Sequence, residues 1–575
     1  MSVLRNAQTL ARLTRWGAKL LRRDLRRAQL VSGNPKFTTA REAVGRIRDG
    51  AAVGVSGLAA QQRASTLYWA LREAFEETGH PRGLTLLNVG GHGSRGLLPG
   101  SLDELAIPGL CARLVTSHFE TFRPFLDLAA RGRCVLQCLP LGVMAQLYAA
   151  LGRGEDSLLS ATGIGTFLDP RTGRGSPVRG GRREQLVTVE GDLLRYRIPP
   201  IDVALFNLPA ADRRGNLYAK GSAMIGDSLE LAQAARRRGG LVIANVGRLV
   251  DEGYGEVFLP AESVDAIVLH PDTEQTPGYT HADPWPAVTV GGDAIADALE
   301  QARFVGRLAG LIGGVAQRGA LDDAVARLAA TTLVASVAKG AFVAIGAGMP
   351  EGVARAVFEA GRLGDVTFAV ESGVVGGLPA PGAYFGASLA PRELVSTAEL
   401  FRRCERGLDA ACLGALEVDA AGNVNVSKRG RGVRRYAGPG GFIDFTEAAQ
   451  TIVFVSGWMR GGSIDVGRGG VRLRSPGEPK FVEHVSEVTF DAERALGAGK
   501  QIHYVTPVGV FQRTSRGMEL TTIMPGIDLH EDVLGLTPIE IVRPEGGEVP
   551  VAPRAIVDGK EFRLPAWGSA RAARD

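Results

Sequence analysis

The chain repeats itself, and that property limits its architecture more than any other. Gly50-Ala-Ala-Val-Gly-Val-Ser-Gly57 reads like Gly340-Ala-Phe-Val-Ala-Ile-Gly-Ala-Gly348. Each is a short apolar run, partly β-branched, that ends in small residues, the pattern of a buried strand feeding a glycine turn. A helical segment follows each run, over 64–78 and 350–362, and Pro350 suits a first helical turn. A second strand comes next, over 84–89 and 366–370, and runs into the loops Gly90-Gly-His-Gly93 and Gly373-Val-Val-Gly-Gly377. The sharpest correspondence lies at 202–216 and 409–423, where Asp-x-x-Gly-Asn closes both stretches at the same offset. The Asp side chain opens a turn there and the Gly supplies the positive φ.

The predicted fold is α/β: two similar open α/β domains with mostly parallel sheets, arising from an internal duplication. The expected boundaries are a basic N-terminal extension over 1–36, domains over 37–300 and 320–545, and a peripheral tail over 546–575. Pro271, Pro277, Pro284 and Pro286 mark 270–290 as irregular connecting chain. Open parallel sheets bind ligands beyond the carboxyl ends of their strands, so the expected site is the crevice between the halves.

Composition narrows the function classes. The formal net charge is +5 over 575 residues, with basic and acidic residues interleaved. That argues against nucleic acid and suits an anionic small ligand. Five cysteines, Cys111, Cys134, Cys138, Cys404 and Cys412, form no Cys-x-x-Cys pair, so a reduced cytoplasmic setting is expected. No membrane span is expected, because the best apolar run, 331–350, is broken by Lys339. The first 35 or so residues carry eight Arg or Lys against Asp24, with Leu10, Leu13, Leu20 and Leu21 on roughly one helical face. They read as an amphipathic helix packed on the body or a partner, or as an organelle-targeting presequence. No phosphate loop, metal constellation or dinucleotide fingerprint is present.

Three places carry candidate chemistry. Glu371 follows the apolar strand directly, where partial burial would perturb a carboxylate serving as base or nucleophile; a solvated or helix-capping Glu is the plainer reading. His92, between glycines in the equivalent first-half loop, can donate to an oxyanion or be merely hydrogen-bonded. Gly438-Pro-Gly-Gly441 is either an ordinary turn or a source of backbone N–H groups for a developing negative charge. The basic run at 428–435 is a solvated loop or a contact for an anionic cofactor tail.

Over 37–543 the chain resembles the family I coenzyme A transferases, in the single-chain form of the acetate/propionate/3-oxoacid type. The matching motifs include Gly346-Ala-Gly-Met-Pro-Glu-Gly-Val353, Glu371-Ser-Gly-Val-Val-Gly-Gly-Leu-Pro379, Phe385-Gly-Ala-Ser388, Gly440-Gly-Phe-Ile-Asp444 and Pro525-Gly-Ile-Asp528. The resemblance implies that Glu371 is the covalent nucleophile, that Gly441 lends a backbone N–H to the oxyanion, and that His92 stands where relatives tend to carry Gln. It implies that Gly346, Gly348, Gly376, Gly377 and Gly440 contact coenzyme A. Coenzyme A is then a substrate, with no permanently bound cofactor and no metal. The partners implied are acyl-CoA, small carboxylic acids and further copies in a homo-oligomer. The alternatives are an acyl-CoA hydrolase using the same site and a catalytically retired CoA-binding protein.

Overall fold

The computed structural model describes all residues except 1, 24, 26, 60, 97, 180–184, 276–283, 293–294, 312–317, 468–469 and 573–575. The first half builds its sheet from β1 (Ala52–Leu58), β2 (Leu84–Gly90), β3 (Cys111–Thr116), β4 (Val135–Cys138), β5 (Val203–Asp212), β6 (Leu217–Tyr218), β7 (Leu241–Val250) and β8 (Ala266–Leu269). Their order is β8-β7-β5-β1-β2-β3-β4, with β6 paired to β5. The second sheet uses β9 (Phe342–Ile345), β10 (Thr367–Val370), β11 (Val374–Val375), β12 (Glu393–Leu394), β13 (Leu408–Gly414), β14 (Ala449–Val455), β15 (Gln501–Thr506), β16 (Gly509–Thr514), β17 (Gly517–Ile523) and β18 (Ile541–Val542). Its order is β12-β11-β10-β9-β13-β14-β15-β16-β17-β18.

The duplication is explicit in the topology. The parallel core β8-β7-β5-β1-β2 has the same strand order as β15-β14-β13-β9-β10. Every residue of β1 and of β5 is buried, as expected of parallel strands covered on both faces. The halves differ at the edges. The first continues with parallel β3 and β4, whereas the second turns antiparallel through β11 and β12 on one side and β16 and β17 on the other. The repeated turns form as read. Asp212 Oδ1 accepts from the N–H groups of Arg214, Gly215 and Asn216, and Asp419 Oδ1 from those of Ala421 and Asn423.

The helices used below are α1 (Ser2–Arg22), α2 (Ser65–Thr78), α3 (Leu141–Arg153), α4 (Ile295–Leu311), α5 (Ala320–Ser336), α6 (Glu351–Glu359), α7 (Thr397–Gly407) and α8 (Phe442–Ala448). Helix α2 follows β1 and α6 follows β9, as the repeat requires; α6 is shorter than expected and begins just after Pro350. Helix α3 of the first half packs on α7 and α8 of the second.

Both peripheral segments are tied to the body. Helix α1 packs on α4 through Arg5, paired to Asp297 at 3.1 Å, and through buried Thr9, which accepts from Gln301. Of the leucine stripe, Leu10 is 51% and Leu21 81% exposed, while Leu13, one turn on from Thr9, is half-buried. The C-terminal tail is anchored as well. Ile556 and Val557 are buried, their carbonyls accept from the Arg327 guanidinium of α5, and Trp567 donates to Asp365 at 3.1 Å. Of the proline-rich connection, residues 276–283 and Pro277 with them lie outside the described residues.

Candidate active site

The carboxyl ends of the strands in both sheets open on one cleft of about 1200 Å³. The first half contributes Gly90 at the end of β2 and Gly91 after it, and His118 and Glu120 after β3. The second half contributes Gly346 and Gly348 after β9, Glu371 after β10, Ala415 and Leu416 after β13, and Ser456 after β14.

Glu371 stands where the apolar run of β10 stops. The chain turns at once through Gly373, at φ +93°, where a Cβ would fall 2.1 Å from the Val395 carbonyl oxygen. The side chain faces the cleft while protein encloses it on the other sides. Its Oε2 accepts the Gly441 N–H at 3.0 Å. Gly441 has to be glycine for that approach, since a Cβ there would lie 2.8 Å from the same oxygen. Burial raises the Glu371 carboxyl to about pKa 7, and the Gly441 N–H offsets part of the rise.

The donor loop belongs to the second half but is held by the first. Gly440 donates its N–H to the Ser117 carbonyl at 3.0 Å and accepts from the Leu141 N–H at 3.1 Å. The N–H of Phe119 donates to the Ala437 carbonyl at 2.6 Å. In the first turn of α8, buried Asp444 accepts the Val143 N–H at 3.0 Å, at the start of α3. Burial pushes its carboxyl up to about 8, so Asp444 is largely protonated at neutral pH.

His92 does not stand as expected. Its flanking glycines, Gly91 and Gly93, line the cleft, but its own ring is fully buried, edge-on to Tyr68. Nδ1 faces the Ala59 carbonyl at 3.0 Å, which can only accept, so the proton sits on Nδ1 and Nε2 is a bare acceptor. Burial and then the Arg63 charge press its pKa to about 3. A neutral imidazole without a free N–H is not placed to donate to an oxyanion.

Of the glycines expected to meet coenzyme A, Gly346, Gly348 and Gly440 line the cleft. Gly376 and Gly377 do not; they make the tight turn after β11, where a Cβ on Gly377 would strike the Leu389 carbonyl at 2.3 Å. The basic run is a strap between the halves. Arg429 pairs with Glu120 at 2.8 Å and Arg434 with Asp127 at 2.6 Å. Only Arg429 of the run's arginines lines the cleft.

Two cleft residues carried no sequence signal. His118 sits beside Gly91 and Gly438, and Lys480 reaches the wall formed by Ala415 and Ser456. The cleft mouth also carries Arg303, Arg307, Arg318 and Arg355 from α4, α6 and the segment before α5. Among the described residues there is no group of three or more His, Cys, Asp or Glu side chains that could hold a metal ion, and no helix long and apolar enough to cross a membrane. The cysteines are all buried free thiols.

Known proteins share this fold. Residues 37–270 match the family model described as Coenzyme A transferase. The chain is 31% identical over 517 residues to the caffeate CoA-transferase of Acetobacterium woodii, covering 87% of this chain and 93% of that one. It is 28% identical over 515 residues to the acetate CoA-transferase YdiF of Escherichia coli O157:H7, covering 88% and 92%. The crystal structure of that acyl-CoA transferase as a thioester complex with CoA superposes with a TM-score of 0.80 at 27% identity, over 92% of this chain and 98% of that one. The chain therefore belongs to the coenzyme A transferases, and is an enzyme of that class. Because the match runs through both halves, its place within the class is the single-chain family I form.

Proposed function

We propose that the enzyme moves coenzyme A from an acyl-CoA to a free carboxylic acid by a ping-pong route through a thioester on Glu371. The Glu371 carboxylate attacks the thioester carbonyl; the tetrahedral oxyanion collapses, expelling CoA thiolate and leaving an acyl–glutamyl anhydride. The thiolate then attacks the glutamyl carbonyl, releases the donor acid as its carboxylate, and leaves glutamyl–CoA. An acceptor carboxylate attacks that thioester, re-forms an anhydride and frees the thiolate, which takes the new acyl group and returns Glu371. One thioester replaces another, so no external energy source is needed.

The observation that carries this reading is the 3.0 Å contact from the Gly441 N–H to Glu371 Oε2. When the glutamyl carbonyl is attacked, that same oxygen becomes the oxyanion, and its donor is already in place. Incomplete solvation favours the reaction too: a carboxylate with a pKa near 7 is a stronger nucleophile than a solvated one. The names of the relatives point to short or aromatic monocarboxylic acids among the partners. A cytoplasmic setting and assembly into a homo-oligomer belong to the same reading.

The test is a mass spectrum after incubation with acyl-CoA alone. A CoA-sized adduct on the peptide holding Glu371, absent in Glu371→Ala, is the expected result. Free CoA released without an acceptor, with no adduct, would instead show hydrolysis and sink the proposal.

A further inference from the structure

A second, much smaller cavity of about 10 Å³ has room for one occupant the size of a water molecule. Gln61, Gln62, Ser222 and Glu274 line it. One oxygen of each, Gln61 Oε1, Gln62 Oε1, Ser222 Oγ and Glu274 Oε1, is buried without a hydrogen-bond partner among the described residues. Gln61, Ser222 and Glu274 are 1%, 4% and 5% exposed. The two amides are oriented by their nitrogens. Gln61 Nε2 donates to the Phe385 carbonyl at 2.7 Å and Gln62 Nε2 to the Met224 carbonyl at 2.6 Å. Glu274 Oε2 is engaged by the Arg63 guanidinium at 2.6 and 3.0 Å. Three of the four oxygens can therefore only accept, and none of the four bonds another. A water has two hydrogens to give, so it would leave one of those acceptors buried and unpaired. A cation meets all four. Amide, hydroxyl and carboxylate oxygens, with no nitrogen or sulfur, suit a hard ion. The single carboxylate is shared with Arg63, which suits one charge rather than two. Charges acting on the Tyr68 hydroxyl are Arg63, Asp227 and Glu274, one cation against two carboxyls.

We propose that this cavity binds one dehydrated potassium ion through those four oxygens, and that the ion fixes Gln61 and Gln62 against the catalytic cleft. Ala59, two residues before Gln61, lines that cleft, and so does Phe385, whose carbonyl Gln61 holds from the other half. Ala59 and Gln62 adopt φ of +52° and +55°, a region that favours glycine. Such backbone persists only where its surroundings hold it, and an ion gripping both glutamine side chains supplies that hold.

Full-length enzyme is melted in tetramethylammonium chloride and in potassium chloride at equal ionic strength. Potassium is expected to raise the melting temperature saturably, by about 2 °C or more. It should raise kcat/KM for CoA transfer about threefold or more with the same midpoint. Gln62→Leu and Ser222→Ala each abolish both responses. Crystals of wild type soaked in thallium(I) acetate, a potassium mimic, should show anomalous density among the four oxygens, which decides the matter even where a variant does not fold. Equal melting temperatures in the two salts assign the cavity to a water and overturn the proposal. A potassium response that survives both substitutions, or thallium density only elsewhere, overturns it as well. The melt reads the site without turnover, so its outcome is separate from that of the Glu371 adduct.

Discussion

A carboxylate that accepts one backbone N–H and little else is poised between its two protonation states at neutral pH. The acid limb of kcat/KM against pH is therefore expected to fall through an apparent pKa near 7, because only ionised Glu371 attacks. The same shift has a stability sign. The unfolded chain loses this proton near 4.5 and the folded chain near 7, so between those values the unfolded state binds fewer protons and stability falls as pH rises. Glu371→Gln removes the cost of the buried charge. It should melt a few degrees above wild type at about pH 8 and together with it below about pH 4, while losing activity on the order of a thousandfold or more. Thermal melts at the two pH values and steady-state rates check this. Gly441→Ala tests the oxyanion donor. Its Cβ would sit 2.8 Å from Oε2, so kcat is expected to drop about a hundredfold, the scale of one lost donor.

The element that aims the donor is α8, and what holds α8 is its contact with α3. Asp444 joins the two as a largely protonated acid, with Oδ1 accepting from Val143 and Oδ2 buried without a partner. Asn reproduces that neutral acceptor, so Asp444→Asn should change unfolding free energy by less than about 1 kcal/mol. Asp444→Ala leaves the Val143 N–H buried and unpaired, which should cost about 1–3 kcal/mol in denaturant titration and lower kcat as the Gly440–Gly441 loop loosens. At the N-terminus, α1 teaches a different lesson about elements. Periodicity found the helix but not which of its residues pack, since Leu10 and Leu21 stay exposed. Its packed side is polar, through Arg5 and Thr9 on α4, because the surface it meets carries Asp297 and Gln301.

At the scale of the whole molecule the site exists only where the halves meet. Glu371 and Gly441 come from one half, and the carbonyls and N–H groups that position Gly440 come from the other. Opening the chain between residues 311 and 318 and co-expressing the two pieces should therefore restore activity that neither piece shows alone, since each piece carries one side of the site. Steady-state assays of each piece and of the mixture decide it. The two parallel α/β halves, the two Asp-x-x-Gly-Asn turns and the position of Glu371 at a strand end were all legible in the amino-acid sequence. Each is set by local periodicity or turn chemistry, and the duplication stated it twice. The burial of the His92 ring, the withdrawal of Gly376 and Gly377 into a turn, and the arrival of His118 and Lys480 in the cleft were not legible. Those are outcomes of chain segments far apart in sequence closing on one another. His92 is buried against Tyr68 and Ala59 of its own half, Gly377 turns against Leu389 and Lys480 reaches Ala415 within the second, and only His118 meets Gly438 where the halves dock; no run of neighbouring residues encodes such contacts.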